Sequence, residues 1–175
     1  MAKIHLVEGP VGAGKSTYAV SLASRIGGVH VALDEWFAHL FSPDRPDTDF
    51  VRWYIARKER LIDLIWNHAR ALLEAGTNPV LELGLIQRQS REAFYERVRT
   101  ADAELVVYVL DAPRDVRRER VRRRNLERGS TFFAVVPDHI FEMASDLWEP
   151  PDEDEIAENH IQLVSAPIGA VAGTR

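Results

Sequence analysis

The chain has 175 residues, of which 46% are apolar and 28% charged, with a formal net charge of -5. That length makes about one domain with a core of its own, and the lack of cysteine excludes disulfides and thiolate metal sites. No run approaches the roughly 18 apolar residues of a membrane span, and the acidic balance argues against duplex nucleic acid as the main partner, because phosphate neutralisation needs a basic face. A cytoplasmic protein with no membrane partner is the expectation.

The first element is a strand over Lys3 to Val7, an apolar run too short for a signal peptide. It leads straight into EGPVGAGKST, Glu8 to Thr17. Here Gly9-Pro10-Val11-Gly12-Ala13-Gly14-Lys15-Ser16 matches G-x-x-x-x-G-K-[ST] at every fixed position, between a strand and a helix. Glycines let successive N–H groups turn inward on phosphate oxygens, and the helix N-terminus adds its positive end. Lys15 supplies a point charge to the terminal phosphates. Ser16 offers its hydroxyl to magnesium, an ion that prefers oxygen ligands. Thr17 serves the helix start or the inner phosphate. The plain alternative is a glycine-rich turn, but strand and helix both stand where a phosphate loop needs them. The loop, with Gly9, Gly12, Ala13 and Gly14 beside those three, is expected to bind a nucleoside triphosphate, ATP by default.

A helix follows over Lys15 to Ile26, stopped by Gly27-Gly28, and a second strand over Val29 to Leu33. Asp34, in VALDEW, falls at the end of that strand, on the carboxyl edge where parallel sheets meet ligands. There it accepts a proton from a substrate hydroxyl or holds magnesium through water; the structural alternative is a helix N-cap. SPDRPD, residues 42 to 47, is a loop. A long helix from about Asp49 to Glu74 carries Tyr54, Leu61, Ile65, Ala69 and Leu72 at helical spacing. Trp36, Phe37, Phe41, Trp53 and Tyr54 either line an acceptor pocket or pack helix faces together.

The third strand is expected over Pro79 to Leu85. Its one acid, Glu82, needs an explanation, since a buried unpaired carboxylate is costly. It is either an outer-sphere magnesium ligand or a salt-bridge partner of Arg88 or Arg91. Ser90 caps a helix to about Thr100, and Glu104 to Leu110 is a fourth, buried strand. The next helix, about Arg114 to Glu127, opens a segment to Arg128 that holds eight arginines. Arg117, Arg120, Arg124 and Arg128 share one face, as charges for a transferring phosphoryl group would. Otherwise the helix is solvated, or paired with the six carboxylates of Glu149 to Glu158. Pro137 to Trp148 is a further helix, and His160 to Val164 a fifth strand. The histidines show no ligand spacing. Strands alternating with helices imply an α/β fold with a parallel sheet covered on both faces.

GPVGAGKST, LDEW, VLELG, LDAPRDVRRERVRRRN and WEPPDEDE, in that order, resemble the small AAA_33-type P-loop kinases. These are relatives of chloramphenicol phosphotransferase, zeta toxin, gluconate kinase and the kinase domain of polynucleotide kinase. The resemblance spans about Ile4 to Glu155. It implies one kinase-like domain over 1–175, a P-loop NTPase three-layer sandwich. The sheet would have five strands in the order 2-3-1-4-5, under an arginine-rich lid at about 117–136. It implies Asp34 as base toward a substrate hydroxyl, lid arginines at Arg120 and Arg124, and ATP with Mg2+ as cofactors. Family members often carry Asp where this chain has Glu82, so the resemblance leaves a direct metal role for Glu82 open. The expected activity is transfer of the terminal phosphoryl group of ATP to a hydroxyl of a small molecule. A nucleotide-dependent switch acting through a partner is the alternative. A polynucleotide 5'-hydroxyl kinase is a third, needing a basic channel that only the arginine helix offers.

Overall fold

A computed structural model describes residues 1–129 and 132–165. Five strands form one all-parallel sheet in the order β2-β3-β1-β4-β5. They are β1 (Ile4–Glu8), β2 (Val29–Ala32), β3 (Pro79–Glu82), β4 (Leu105–Asp111) and β5 (Gln162–Ser165). The helices are α1 (Lys15–Ile26), α2 (Leu33–Leu40), α3 (Phe50–Glu74), α4 (Arg88–Thr100), α5 (Arg114–Glu127), α6 (Asp138–Asp146) and α7 (Glu153–Glu158). The expected fold and strand order are those observed.

Every residue of β1 is buried, because helices cover the sheet on both faces. Ile4 and Leu6 join α2, α3 and α4 through Phe37, Leu61, Ile65 and Phe94. Val7 joins Ala19, Leu22 and Ala23 of α1 on the other face. β1 at the centre thus delivers the phosphate loop from the most enclosed strand of the sheet.

Several boundaries differ from the sequence reading. β2 stops at Ala32, and Leu33 and Asp34 already belong to α2, a helix the sequence reading leaves unassigned. β3 stops at Glu82 because Gly84 turns the chain with φ +62, incompatible with a strand. Ser90 is not a cap: α4 begins at Arg88, and Gln87 before it makes no side-chain capping bond. α6 ends at Asp146, and Pro137 precedes its first turn rather than entering it.

The acidic run is structural. Asp152 caps the short α7 by accepting the Glu155 N–H at 2.8 Å. Glu155 receives Nε and Nη2 of Arg91 at 2.6 and 2.8 Å, and both side chains are buried. That bidentate bond ties α7 to α4 across the edge of the sheet.

Candidate active site

The phosphate loop joins the C-terminal end of β1 to the start of α1. Its backbone lies directly on β4: a Cβ on Gly9 would sit 2.2 Å from the Leu110 carbonyl oxygen, so only glycine fits. Gly14 precedes α1 with no side-chain cap, which leaves the first helical N–H groups directed at the hollow of the loop. Ala13 is buried against the core and Thr17 is exposed. Lys15 folds over the loop, its Nζ donating to the carbonyls of Gly9 at 2.9 Å and Pro10 at 3.1 Å.

Ser16 Oγ donates to Glu82 Oε1 at 2.9 Å. His30 Nε2 reaches the other carboxylate oxygen at 3.3 Å. A carboxylate only accepts, so that nitrogen carries the proton. Burial works against the charge on Glu82. The bonds from His30 and Ser16 and the charge of Lys15 outweigh it and hold the carboxyl below its ordinary value. The salt-bridge reading of Glu82 is therefore overturned. The Arg91 guanidinium is spent on Glu155, and that of Arg88 on Glu92 and Asp152. His30 is not a bystander, since it orients the acid beside Ser16.

Asp34 is the second residue of α2, and no side chain caps that helix. The capping reading is overturned too. Asp34 is exposed to solvent at the carboxyl edge of the sheet, the side on which open parallel sheets form a ligand cleft, yet protein atoms crowd around it. That crowding, and then the charge of Glu82, push its carboxyl above the usual range; Lys15, Lys58 and Arg124 pull against the shift. Asp34, Glu82 and Lys15 thus share one electrostatic neighbourhood at the carboxyl edge of the sheet.

α5 splits its arginines by face. Arg117 is buried and braces the loop: Nε donates to Ala112 O at 3.0 Å, and Nη1 to Val11 O at 3.0 Å and Ser145 Oγ at 3.2 Å. One turn on, Arg120 Nη1 reaches the Ala13 carbonyl at 3.4 Å. Another turn on, Arg124 faces Asp34 and Glu82, whose charges partly offset the desolvation that lowers its pKa. Its Nε is buried without a partner. Three outward arginines pair with α6, and not with the run after Glu149 that the sequence offers as one structural alternative. Arg114 and Arg118 meet Glu142, and Arg122 meets Asp138.

The aromatic residues mostly pack. Phe37 stands against Phe41, Trp53 and Tyr54 with ring centroids 5.2, 5.6 and 4.9 Å apart. Tyr54 also faces the cleft: burial, and then the charge of Asp34, push its hydroxyl up to about 12.

Two charged residues escape the sequence reading. Lys58 interrupts the apolar stripe of α3 between Tyr54 and Leu61, and donates Nζ to Gly84 O at 2.9 Å. The break in the stripe is its signal. Glu8 closes β1, fully buried, with Oε2 accepting the Leu85 N–H at 2.9 Å and Oε1 unpartnered. Burial, against the pull of Lys15, raises its pKa to about 7. Its signal is an acid at the end of a buried, mostly apolar strand. Glu8 and Lys58 together hold two consecutive residues of the loop after β3.

The donor set fits a magnesium ion. Ser16 Oγ and the Glu82 carboxylate are hard oxygens side by side at the loop. Among the described residues no group of three or more His, Asp or Glu could hold a metal. No helix of the described residues is long and apolar enough to cross a membrane.

The chain resembles a guanylate kinase of Chromohalobacter salexigens, 27% identical over 159 residues, 81% of this chain and 70% of that one. Its fold matches a gluconokinase from Sinorhizobium meliloti 1021 with a TM-score of 0.57 and 21% identity, covering 95% and 85% of the two chains. It also matches Chaetomium thermophilum Kti12 in complex with ADP-AlF3, TM-score 0.64 and 16% identity, covering 94% and 89%. The AAA_33 profile, described as an AAA domain, matches residues 4–150, which takes in the loop, Asp34, Glu82 and the arginine helix. The chain belongs to the AAA_33 family and has the architecture of its small P-loop kinases.

Proposed function

We propose that the protein transfers the terminal phosphoryl group of ATP to a hydroxyl of a small molecule. Family and phosphate loop support nucleotide-dependent phosphotransfer in general. The observation that carries the finer reading is Asp34. It is an acid that caps nothing, opens onto the cleft and shares a field with Lys15, Lys58 and Arg124.

In this reading the loop amides and Lys15 hold the β- and γ-phosphates. Asp34 accepts the proton of the acceptor hydroxyl as its oxygen bonds to phosphorus, and the bond from phosphorus to the bridging oxygen breaks to release ADP. Arg120 and Arg124 offset charge on the moving group. Ser16 and, through water, Glu82 would hold Mg2+, which would neutralise charge on the phosphates. The segment from Arg117 to roughly Val136 closes over the nucleotide, with the braced Arg117 as its fixed end. Ser130 and Thr131 of that segment lie outside the described residues.

The pairing of Arg114, Arg118 and Arg122 with α6 lowers the field a polynucleotide would need, which favours a small acceptor. The test is a transfer screen: γ-labelled ATP, Mg2+ and a panel of sugars, alcohols, nucleosides and oligonucleotides. Label on a small hydroxyl compound is expected. Label only on oligonucleotide ends, or ATP hydrolysis with no labelled acceptor, refutes the reading.

A further inference from the structure

α3 lies with one stripe against the sheet, and its buried face runs Leu61, Ile65 and Ala69. Extended one and two turns toward the helix start, the stripe passes through Lys58 and Tyr54. A lysine in that position loses side-chain entropy and solvation unless its ammonium has work to do. One of its N–H groups is taken by Gly84 O. Among the described residues that is its one hydrogen bond, and an ammonium carries three donors.

Tyr54 stands one turn earlier on the same face. Its ring packs on Phe37, which lies three residues after Asp34 and so on the same side of α2. The tyrosine hydroxyl feels the Asp34 carboxylate, and the carboxylate in turn feels Lys58. Among the described residues that hydroxyl makes no hydrogen bond. Two packed helices, α2 and α3, thus bring three polar groups into one neighbourhood near the carboxyl edge of the sheet: a carboxylate that accepts, an ammonium and a phenol.

We propose that Lys58 and Tyr54 are the acceptor-specificity residues, and that they select a neutral polyol with a second hydroxyl beside the reacting one. This rests on the phosphotransferase reading above. The reacting hydroxyl donates to Asp34. The neighbouring oxygen accepts from Lys58, and the phenol of Tyr54 bonds a third oxygen or the same one. A monohydric alcohol leaves the Lys58 donors desolvated and unpaired, the situation in which a site built for a hydroxyl discriminates strongly. An acidic acceptor is disfavoured, because it would place a second anion against Asp34. Glu82 already crowds that group with negative charge. The charge of Lys58 is meanwhile shared between Asp34 and Glu8.

The experiment measures phosphoryl transfer from labelled ATP to compounds of matched shape. These are cyclohexanol, cis-1,2-cyclohexanediol and myo-inositol; 1-propanol, 1,2-propanediol and glycerol; and hydroxy acids and nucleosides for comparison. Wild type, Lys58→Met and Tyr54→Phe are compared, and ADP affinity on the same samples reports an intact nucleotide site. The vicinal polyols are expected to exceed their monohydric partners by about 10- to 100-fold in kcat/KM, as a charge-assisted hydrogen bond allows. Each substitution should shrink that ratio, Lys58→Met more than Tyr54→Phe. Transfer with no preference for the polyols, or a preference unmoved by both substitutions, overturns this proposal and leaves the phosphotransferase reading standing. Label on no compound at all overturns both.

Discussion

Ser16 and Glu82, 66 residues apart, share a 2.9 Å hydrogen bond that joins the phosphate loop to the adjacent strand β3. Through it the hydroxyl proton of Ser16 points at Glu82, and the oxygen lone pairs of Ser16 are left for a cation. Glu82→Gln keeps the shape and removes the charge. The Mg2+ concentration for half-maximal activity should rise by about 10- to 100-fold, the usual cost of losing an outer-sphere partner. His30→Ala should produce a smaller rise in the same direction. Mg2+ titrations superimposable on wild type would remove both residues from the metal site.

Asp34→Asn separates chemistry from binding. The amide keeps the volume and loses the basicity, so kcat should fall by about 10²–10⁴-fold on the true acceptor. Affinity for ADP should hold. A kcat within a few-fold of wild type would take Asp34 out of the mechanism. ATP hydrolysis is no substitute for this assay, because water needs no acceptor wall.

Two arginines on one helix should fail in different ways. Among the described residues Arg124 makes no side-chain hydrogen bond to a backbone carbonyl, and it feels the carboxylates of Asp34 and Glu82, so Arg124→Met should lower kcat more than it raises the KM for ATP. Arg117 holds three protein oxygens, so Arg117→Met should lower the melting temperature and weaken ATP binding together. Steady-state kinetics beside thermal melts decide this. Identical profiles for the two variants would refute the division of the helix by face.

Lys15 supports no core, since among the described residues its hydrogen-bond partners are two carbonyls of its own loop. Lys15→Ala should abolish nucleotide turnover at unchanged melting temperature. Normal turnover in a folded variant would sink the phosphate-loop assignment.

Glu8 predicts a pH effect on stability. Its carboxyl titrates near 7 in the folded chain, against an ordinary value of 4.5. Between those values the folded chain keeps a proton that the unfolded chain has released. Folding therefore takes up protons, and stability falls as pH rises from 4.5 through 7, by roughly 3 kcal/mol in all. Glu8→Gln cannot titrate, and its amide oxygen still accepts the Leu85 N–H. The variant should gain on wild type as pH rises from 5 to 8 in denaturant titrations. Parallel stability curves would contradict this.

The loop, the parallel sheet and the arginine face are legible because each is a local pattern: fixed spacing around Lys15, alternating strands and helices, and a three-four repeat on α5; the strand order comes only from the family resemblance. The partners of Glu82 are not legible. His30 and Ser16 reach it only because β2, β3 and β1 lie side by side, while Arg88 and Arg91 are near it in sequence alone. Asp34 was placed one element too early, since Leu33 reads equally well as a strand end or a helix start. Lys58 was passed over because a stripe of apolar residues draws the eye across its one charged member.

The Arg91–Glu155 bond carries a consequence for how the chain is made. The two residues are 64 positions apart and wholly enclosed once joined, and one of them alone leaves a charge stranded at a cost of about 3–5 kcal/mol. While the chain leaves the ribosome, α4 exists before its counter-ion has been synthesised. The guanidinium must stay in water until Glu155 emerges, so α4 settles on the sheet late. The nascent protein meanwhile exposes the apolar side of α4, with Phe94 and Val98, to whatever chaperone is at hand.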